Sequence, residues 1–307
     1  MRRKLIQQGN SALTITLPAK WVKKNGLKAG DEIEVREKEN KIEIIKEDIR
    51  TKKKEIEIQI KDMMIGTRFI TALYRGGYDK ILINYSSTGF IRDIQKTVQN
   101  QLFGFEITQE KAGFCVLEDL SGEAKSDVFR ITIKQCLNLA DNLIINCVNE
   151  IKNQQYALLK NLKFRDLTIN RFTNYCTRIL NKNESLNPEY KLFLYHFIRK
   201  IESYADKFEE LGYYIGKNKI QLETDLIGIL YEIKKLSSET FQSFFSFDHK
   251  NLNKIIISSK ELEQKTVIKL KKYGKADYFV LQYIYRICQR IRKLISSIIE
   301  INFTKSD

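Results

Sequence analysis

Seven cations, Arg2, Arg3, Lys4, Lys20, Lys23, Lys24 and Lys28, come before the first acidic residue of the chain, Asp31. Arg and Lys neutralise phosphates, and the amides and hydroxyl among them, Gln8, Asn10 and Ser11, can meet base edges or phosphate oxygens. A short, turn-rich, uniformly basic segment points to a polyanion, DNA above all. The plainer reading is that Lys23, Lys24 and Lys28 solubilise one helix face and that Gly9-Asn10-Ser11 is only a turn. A second group, Ser86, Ser87 and Thr88 ahead of a helix bearing Arg92, offers hydroxyls and helix-end amides to an anion; the same residues are ordinary helix caps. His196 and His249 each lack a partner at ligand spacing, and there is no phosphate loop, no G-x-G-x-x-G and no G-x-S-x-G. No enzyme is expected.

The elements that must hold the basic segment are short. Leu13, Ile15 and Leu17 alternate with Thr14 and Thr16; Ile33 and Val35, then Ile42 and Ile44, alternate with charged residues, as half-buried strands do. Gly9-Asn10 turns Lys4 to Gln8 into Ala12 to Leu17, Pro18 falls in the first turn of a short helix, and Asn25-Gly26 ends it. A ββαββ unit of residues 1–48 has too little apolar surface to be stable alone, and a shared core with a second copy is the usual remedy. Gly9-Asn10-Ser11 with Thr16-Leu17-Pro18, and then G-L-K-A-G-D-E-I-E-V from Gly26 to Val35, resemble the swapped-hairpin AbrB/MazE/SpoVT family of DNA-binding domains. The resemblance implies a homodimer with interleaved hairpins and places DNA contacts at Arg2, Arg3, Lys4, Gln8, Asn10, Ser11, Lys20 and Lys24.

Charge is unevenly spread along the chain. Residues 1–54 carry 15 basic and 8 acidic side chains, residues 55–124 carry 7 and 10, and residues 125–307 carry 31 and 20. The middle segment is the poorest polyanion binder. Beyond Lys52-Lys53-Lys54, which reads as a solvated linker, strand and helix patterns alternate as βαβαββ, a small α/β module over residues 55–120.

The remainder, residues 124–307, reads as six helices. Phe129, Ile133, Cys136, Ala140, Leu143 and Cys147 set an apolar seam that Leu222, Leu226, Ile229, Ile233, Leu236 and Thr240 repeat 93 residues later. Leu194, Phe197, Ile201, Tyr204, Phe208 and Leu211 are repeated 87 residues on by Leu281, Ile284, Cys288, Ile291, Ile295 and Ile298. Such seams make antiparallel bundles. Two three-helix repeats, with Arg199-Lys200-Ile201-Glu202-Ser203-Tyr204-Ala205-Asp206 similar to an R-x-x-E-R-x-x-D signature, resemble the PhoU family. That resemblance implies a divalent or trivalent metal at Glu202 and Asp206, which share one helix face, with Asp166 of the preceding helix beside them. In the second repeat the equivalent positions hold Gln289 and Lys293, and a lysine repels a cation. Glu202 and Asp206 are equally readable as helix charges pairing with Arg199 or Lys200.

The fold class expected is therefore mainly α: an N-terminal swapped-hairpin β domain, a small α/β module and a PhoU-like six-helix bundle of two three-helix repeats. The five cysteines are odd in number, lack C-x-x-C spacing and read as reduced apolar residues, so a cytoplasmic protein is expected, without membrane insertion. The leading expectation is a DNA-binding transcriptional regulator of phosphate uptake or homeostasis. Its rival is a signalling adaptor that contacts a phosphate transporter ATPase and uses the N-terminal segment only to dimerise.

Overall fold

The structure, a computed structural model, describes residues 2–9, 12–38, 41–45, 53–122, 126–183, 186–271 and 275–304. The chain divides into two compact units, Met1–Lys53 and Lys54–Asp307. In the first, β1 (Ile6–Gln8) pairs antiparallel with β2 (Ala12–Thr14), and β3 (Glu34–Lys38) pairs antiparallel with β4 (Lys41–Ile45). Between the two hairpins lies α1 (Ala19–Lys24). Pro18 stands at its N-cap in extended geometry rather than inside the first turn; its missing N–H and fixed φ suit either place. Asn25 ends the helix by donating from Nδ2 to the Trp21 carbonyl at 2.8 Å, and Gly26 follows at φ +63°, a left-handed conformation that glycine adopts without strain.

No described residue of this unit is buried. Leu5, Ile6, Leu13, Ile15, Val35 and Ile42 are all more than half exposed. One chain of this length makes hairpins here but no core.

The second unit opens with β5 (Glu55–Ile60), α2 (Met63–Arg75), β6 (Lys80–Tyr85), α3 (Phe90–Gln101), β7 (Phe105–Lys111) and β8 (Phe114–Asp119). The sheet order is β5-β6-β8-β7, with β5 and β6 parallel and the remaining pairs antiparallel. Alternation carries Ile60, Ile81, Ile83, Tyr85, Cys115 and Leu117 into a core that α2 and α3 close with Ile70, Tyr74, Ile94 and Val98. Asp62 caps α2 by accepting from the Met64 amide at 2.7 Å. Gly66 lets that helix come close to the sheet, since a Cβ there would lie 2.5 Å from Ile60 Cγ2.

The helices follow as α4 (Ser126–Lys152), a short α5 (Tyr156–Lys160), α6 (Leu162–Lys182), α7 (Pro188–Asn218), α8 (Thr224–Ser243), α9 (His249–Leu270) and α10 (Lys275–Thr304). Among the described residues there are thus six long helices and one short one that the apolar spacing did not announce. Asn187 caps α7 with Pro188 in its first turn, and its side chain accepts from the Glu189 amide at 2.8 Å. All four apolar seams lie inside one core, Phe129 being the only member left partly exposed. Thr240 is fully buried and satisfies its hydroxyl on the Leu236 carbonyl at 2.7 Å. The three-helix sets α4-α6-α7 and α8-α9-α10 join through α7 against α10 and α4 against α8. Inside that joint the Tyr204 and Ser237 hydroxyls meet at 2.6 Å.

The α/β sheet layer is fixed to the first helical set by Arg178 of α6. Its guanidinium is 2% exposed. It donates to the Tyr74 and Tyr78 carbonyls at 3.0 and 2.6 Å and to Asp79 and Asp119 carboxylates at 2.7 Å each. Tyr74 and Phe105 rings flank it. Asn174 of α6 adds a bond from Nδ2 to the Gln101 carbonyl at 3.1 Å and accepts from Arg75 Nε at 2.7 Å. Cys115, Cys136, Cys147, Cys176 and Cys288 are all free and buried, and burial pushes each thiol up. Among the described residues no helix is long and apolar enough to cross a membrane.

Candidate nucleic-acid interface

The basic segment lies on the first unit. Arg2, Arg3 and Lys4 run into β1, whose register sets Ile6 opposite Thr14, Gln7 opposite Leu13 and Gln8 opposite Ala12. The Thr14 hydroxyl ties the pair by donating to the Ile6 carbonyl at 3.2 Å. Gly9 carries the chain out of β1 at φ +73°. Asn10 and Ser11 lie outside the described residues. Lys20 sits in the first turn of α1, and Lys23 and Lys24 in its last, where cations suit the negative end of the helix dipole. Trp21, Val22 and Leu27 are the half-buried side of this segment.

All seven cations ahead of Asp31, and Gln8 with them, are exposed. None of the seven makes an ion pair with another described residue. Asp31 is turned inward on its own loop, its carboxylate accepting from the Lys28 amide at 2.7 Å. The unit therefore presents cations that no carboxylate pairs with among the described residues, beside apolar side chains that are more than half exposed. Coulomb attraction to a polyanion is strongest for just such unpaired groups.

Residues 6–56 match the model of a family described as antidote-toxin recognition MazE, bacterial antitoxin. The N-terminal segment is similar to MazE. The match supports the swapped-hairpin reading of this segment and is compatible with DNA-binding regulation. It covers less than a fifth of the chain and ends before α2, so it does not reach the helices of the second unit. No curated protein and no solved structure matches the chain.

Two other expected sites lie in the second unit. At the start of α3 the N-cap is Gly89, without a side-chain cap bond, so neither Ser87 nor Thr88 caps the helix. Ser87 contributes its carbonyl instead, which accepts from the Phe90 amide at 3.0 Å. Thr88 lines a cavity of about 260 Å³ with Tyr85, Ile91, Glu110, Lys111, Ala112 and Gly113. Glu110 brings a carboxylate to that wall, where an anion would meet repulsion, and Arg92 is exposed and not part of the lining.

The three carboxylates expected at a metal are neighbours on α6 and α7 but are differently engaged. Glu202 pairs with Arg199 and accepts from the Thr173 hydroxyl at 3.1 Å. Asp166 is buried; its Oδ2 accepts from Asn170 at 2.8 Å, and its Oδ1 has no donor among the described residues. Burial, followed by the charges of Asp206 and Glu209, pushes the Asp166 carboxyl up to about 7, and Asp206 and Glu209 are raised in turn, burial again being the main cause. Among the described residues no group of three or more His, Cys, Asp and Glu side chains is arranged to hold a metal ion. Glu202 is thus drawn to Arg199, while Asp166 and Asp206 are carboxylates that burial raises.

In the second repeat Gln289 Nε2 donates to Glu263 of α9 at 3.0 Å, and Arg292 pairs with the same carboxylate. Gln289 and Lys293 stand where the first repeat has Glu202 and Asp206. Neither this network nor the Arg178 cluster was foreseen from the sequence, because each joins residues far apart in the chain.

Proposed function

We propose that the chain is a DNA-binding transcriptional regulator that dimerises through its N-terminal unit. The observation that carries this reading is the pairing of unneutralised cations with an uncovered apolar side on a unit that buries none of its described residues. A second copy interleaving its hairpins would cover Leu5, Ile6, Leu13, Ile15, Val35 and Ile42. It would also double the cations on a two-fold surface, which suits a pseudo-palindromic operator. The similarity of residues 6–56 to MazE supports the same reading.

Within that proposal the helical bundle is the sensing or relay part, and phosphate status is the signal. The support is the resemblance of the two three-helix repeats, and of Arg199 to Asp206, to the PhoU family. Changing Arg2, Arg3 and Lys4 together to Ala is expected to abolish an operator shift in an electrophoretic mobility assay while leaving the dimer mass intact by light scattering. Unchanged affinity removes the DNA reading. Genome-wide mapping of bound DNA in high and low phosphate tests the signal, with occupancy expected to change between the two conditions.

A second reading, recognition of a protein by the same unit, is favoured by the family's description as antidote-toxin recognition. Distinct from it is the adaptor role at a phosphate transporter ATPase, in which the N-terminal unit serves only to dimerise. A stable complex with a transporter subunit, together with no DNA footprint, would replace the first reading by this one.

A further inference from the structure

The seam between α7 and α10 gathers cations that the rest of the bundle leaves unbalanced. Arg286, Arg290 and Lys293 stand four and three residues apart on α10, on one face. Lys200 reaches them from α7, donating from Nζ to the Lys293 carbonyl at 3.0 Å and to the Ser297 hydroxyl at 2.7 Å. Arg290 Nε donates to the Ser203 hydroxyl of α7 at 3.3 Å. Arg292, two positions from Arg290 and hence on the other side of the helix, leaves this group to pair with Glu263.

Three nearby carboxylates are engaged by other cations, and Asp206, Glu209 and Glu300 make no ion pair with this group among the described residues. Glu202 is held by Arg199, Glu210 by Lys207 and Glu263 by Arg292, while Glu300 accepts from the Ser297 hydroxyl at 3.4 Å. Among the described residues none forms an ion pair with Lys200, Arg286, Arg290 or Lys293. The Lys200 ammonium is held below its ordinary range by burial; the pull of Glu300 opposes this, and the Lys293 charge adds a smaller push in the same direction as burial. A surface that keeps like charges together without direct ion pairs can receive negative charge.

We propose that this seam is a second binding surface, separate from the N-terminal cations, for the phosphate backbone of duplex DNA. Three features select that ligand over an acidic protein. Residues 199–210 and 282–300 expose no large apolar side chain, whereas protein interfaces centre on apolar and aromatic anchors. Guanidinium forks match phosphate oxygens in pairs. Arg286 to Lys293 spans about 10 Å at 1.5 Å per residue. One strand of a duplex offers about three phosphates over such a length, at roughly 3.4 Å of axis each.

The proposal shares its ligand class with the proposed function but not its residues, and the test separates them. Full-length protein is titrated with a duplex of mixed sequence at a series of salt concentrations, and fluorescence anisotropy gives the affinity. The variants are Arg286→Ala/Arg290→Ala/Lys293→Ala, Arg286→Lys/Arg290→Lys/Lys293→Arg, and Arg2→Ala/Arg3→Ala/Lys4→Ala, each first confirmed as folded by its thermal transition. The seam alanine variant is expected to flatten the slope of log affinity against log salt by about 2 to 3, at about 0.9 per lost phosphate contact. The charge-conserving variant should restore that slope. An unchanged slope in the alanine variant overturns the seam, even if the N-terminal variant loses binding and so upholds the operator reading. Loss only in the seam variant upholds the seam and removes the N-terminal assignment. An acidic protein that co-purifies with the native chain but not with the seam variant, while the DNA slope stays the same, also overturns it.

Discussion

The two halves of the bundle share a skeleton and diverge in everything polar laid over it. Thr173 of α6 and Glu263 of α9, 90 residues apart, each touch the position that holds Glu202 in one half and Gln289 in the other. At that spacing Leu162, Ile169 and Cys176 fall on Leu252, Ser259 and Thr266, all buried. The outer face behaves differently. Arg178 is sealed beneath the sheet layer at 2% exposure, and its counterpart Ile268 is 56% exposed. The first half concentrates poorly balanced carboxylates at Asp166, Asp206 and Glu209; the second concentrates unpaired cations at Arg286, Arg290 and Lys293. Apolar spacing sets the shape, and the polar positions decide what each half can hold.

The strongest way to break that contrast is to remove the residue that makes the first half different. Arg178→Met keeps much of the volume and deletes the charge between Asp79 and Asp119. Lys182 still pairs with Asp79, but Asp119 Oδ2 and the Tyr78 carbonyl lose the Arg178 donor, while Asp119 Oδ1 keeps Ser121 and the Tyr74 carbonyl keeps the Gly77 amide. Breaking a buried ion pair from one side costs about 3–5 kcal/mol. Urea unfolding should show a loss of that size, and a loss below about 1 kcal/mol would mean the sheet layer is held by apolar contacts such as Phe103 on Tyr175 and Phe172 instead.

Arg178 also shows where the sequence stops being readable. The seam residues of α4, α7, α8 and α10 declare themselves because helical burial is a local matter, a repeat of three and four along one stretch of chain. The partners of Arg178 lie 99 and 59 residues away, and no local spacing encodes them. Helix α5 is five residues long, too short for any period. Arg292 is a different case: counting 100° per residue from Arg290 turns it off the basic face, so its separation from Arg286, Arg290 and Lys293 was available in the sequence. At the N-terminal unit, the cation types and their freedom from nearby acids were plain in the sequence. The uncovered state of Leu13, Ile15 and Val35 needed coordinates, because alternation predicts a buried face and cannot say which chain buries it.

A smaller effect sharpens the electrostatic side of the comparison. The Asp166 carboxyl is raised in the folded chain from the ordinary carboxylate range to about 7, so between those limits the folded state binds a proton that the unfolded state releases. Stability should therefore fall as pH rises through that window and level off above it. Asp166→Asn removes the titrating group and should gain more stability at pH 8 than at pH 5, read as melting temperatures in buffer containing a chelator. A gain equal at both pH values would place the raised affinity for the proton elsewhere, on Asp206 or Glu209.

The smallest expected effect belongs to the bare face of the second half. Ile268 is the positional counterpart of Arg178, but it touches no second layer, and Ile257 three turns earlier on α9 is similarly open at 49% exposure. Ile268→Ser exchanges an exposed apolar group for a polar one with a modest change in helix propensity, so the stability of the isolated protein should move by no more than about 0.5 kcal/mol. Side by side with Arg178→Met, the pair measures how much of the asymmetry between the halves comes from the sheet layer alone. A loss above about 1 kcal/mol at Ile268 would mean that α9 is covered in solution, by a second copy of the chain, and that the two outer faces are more alike than their residues suggest.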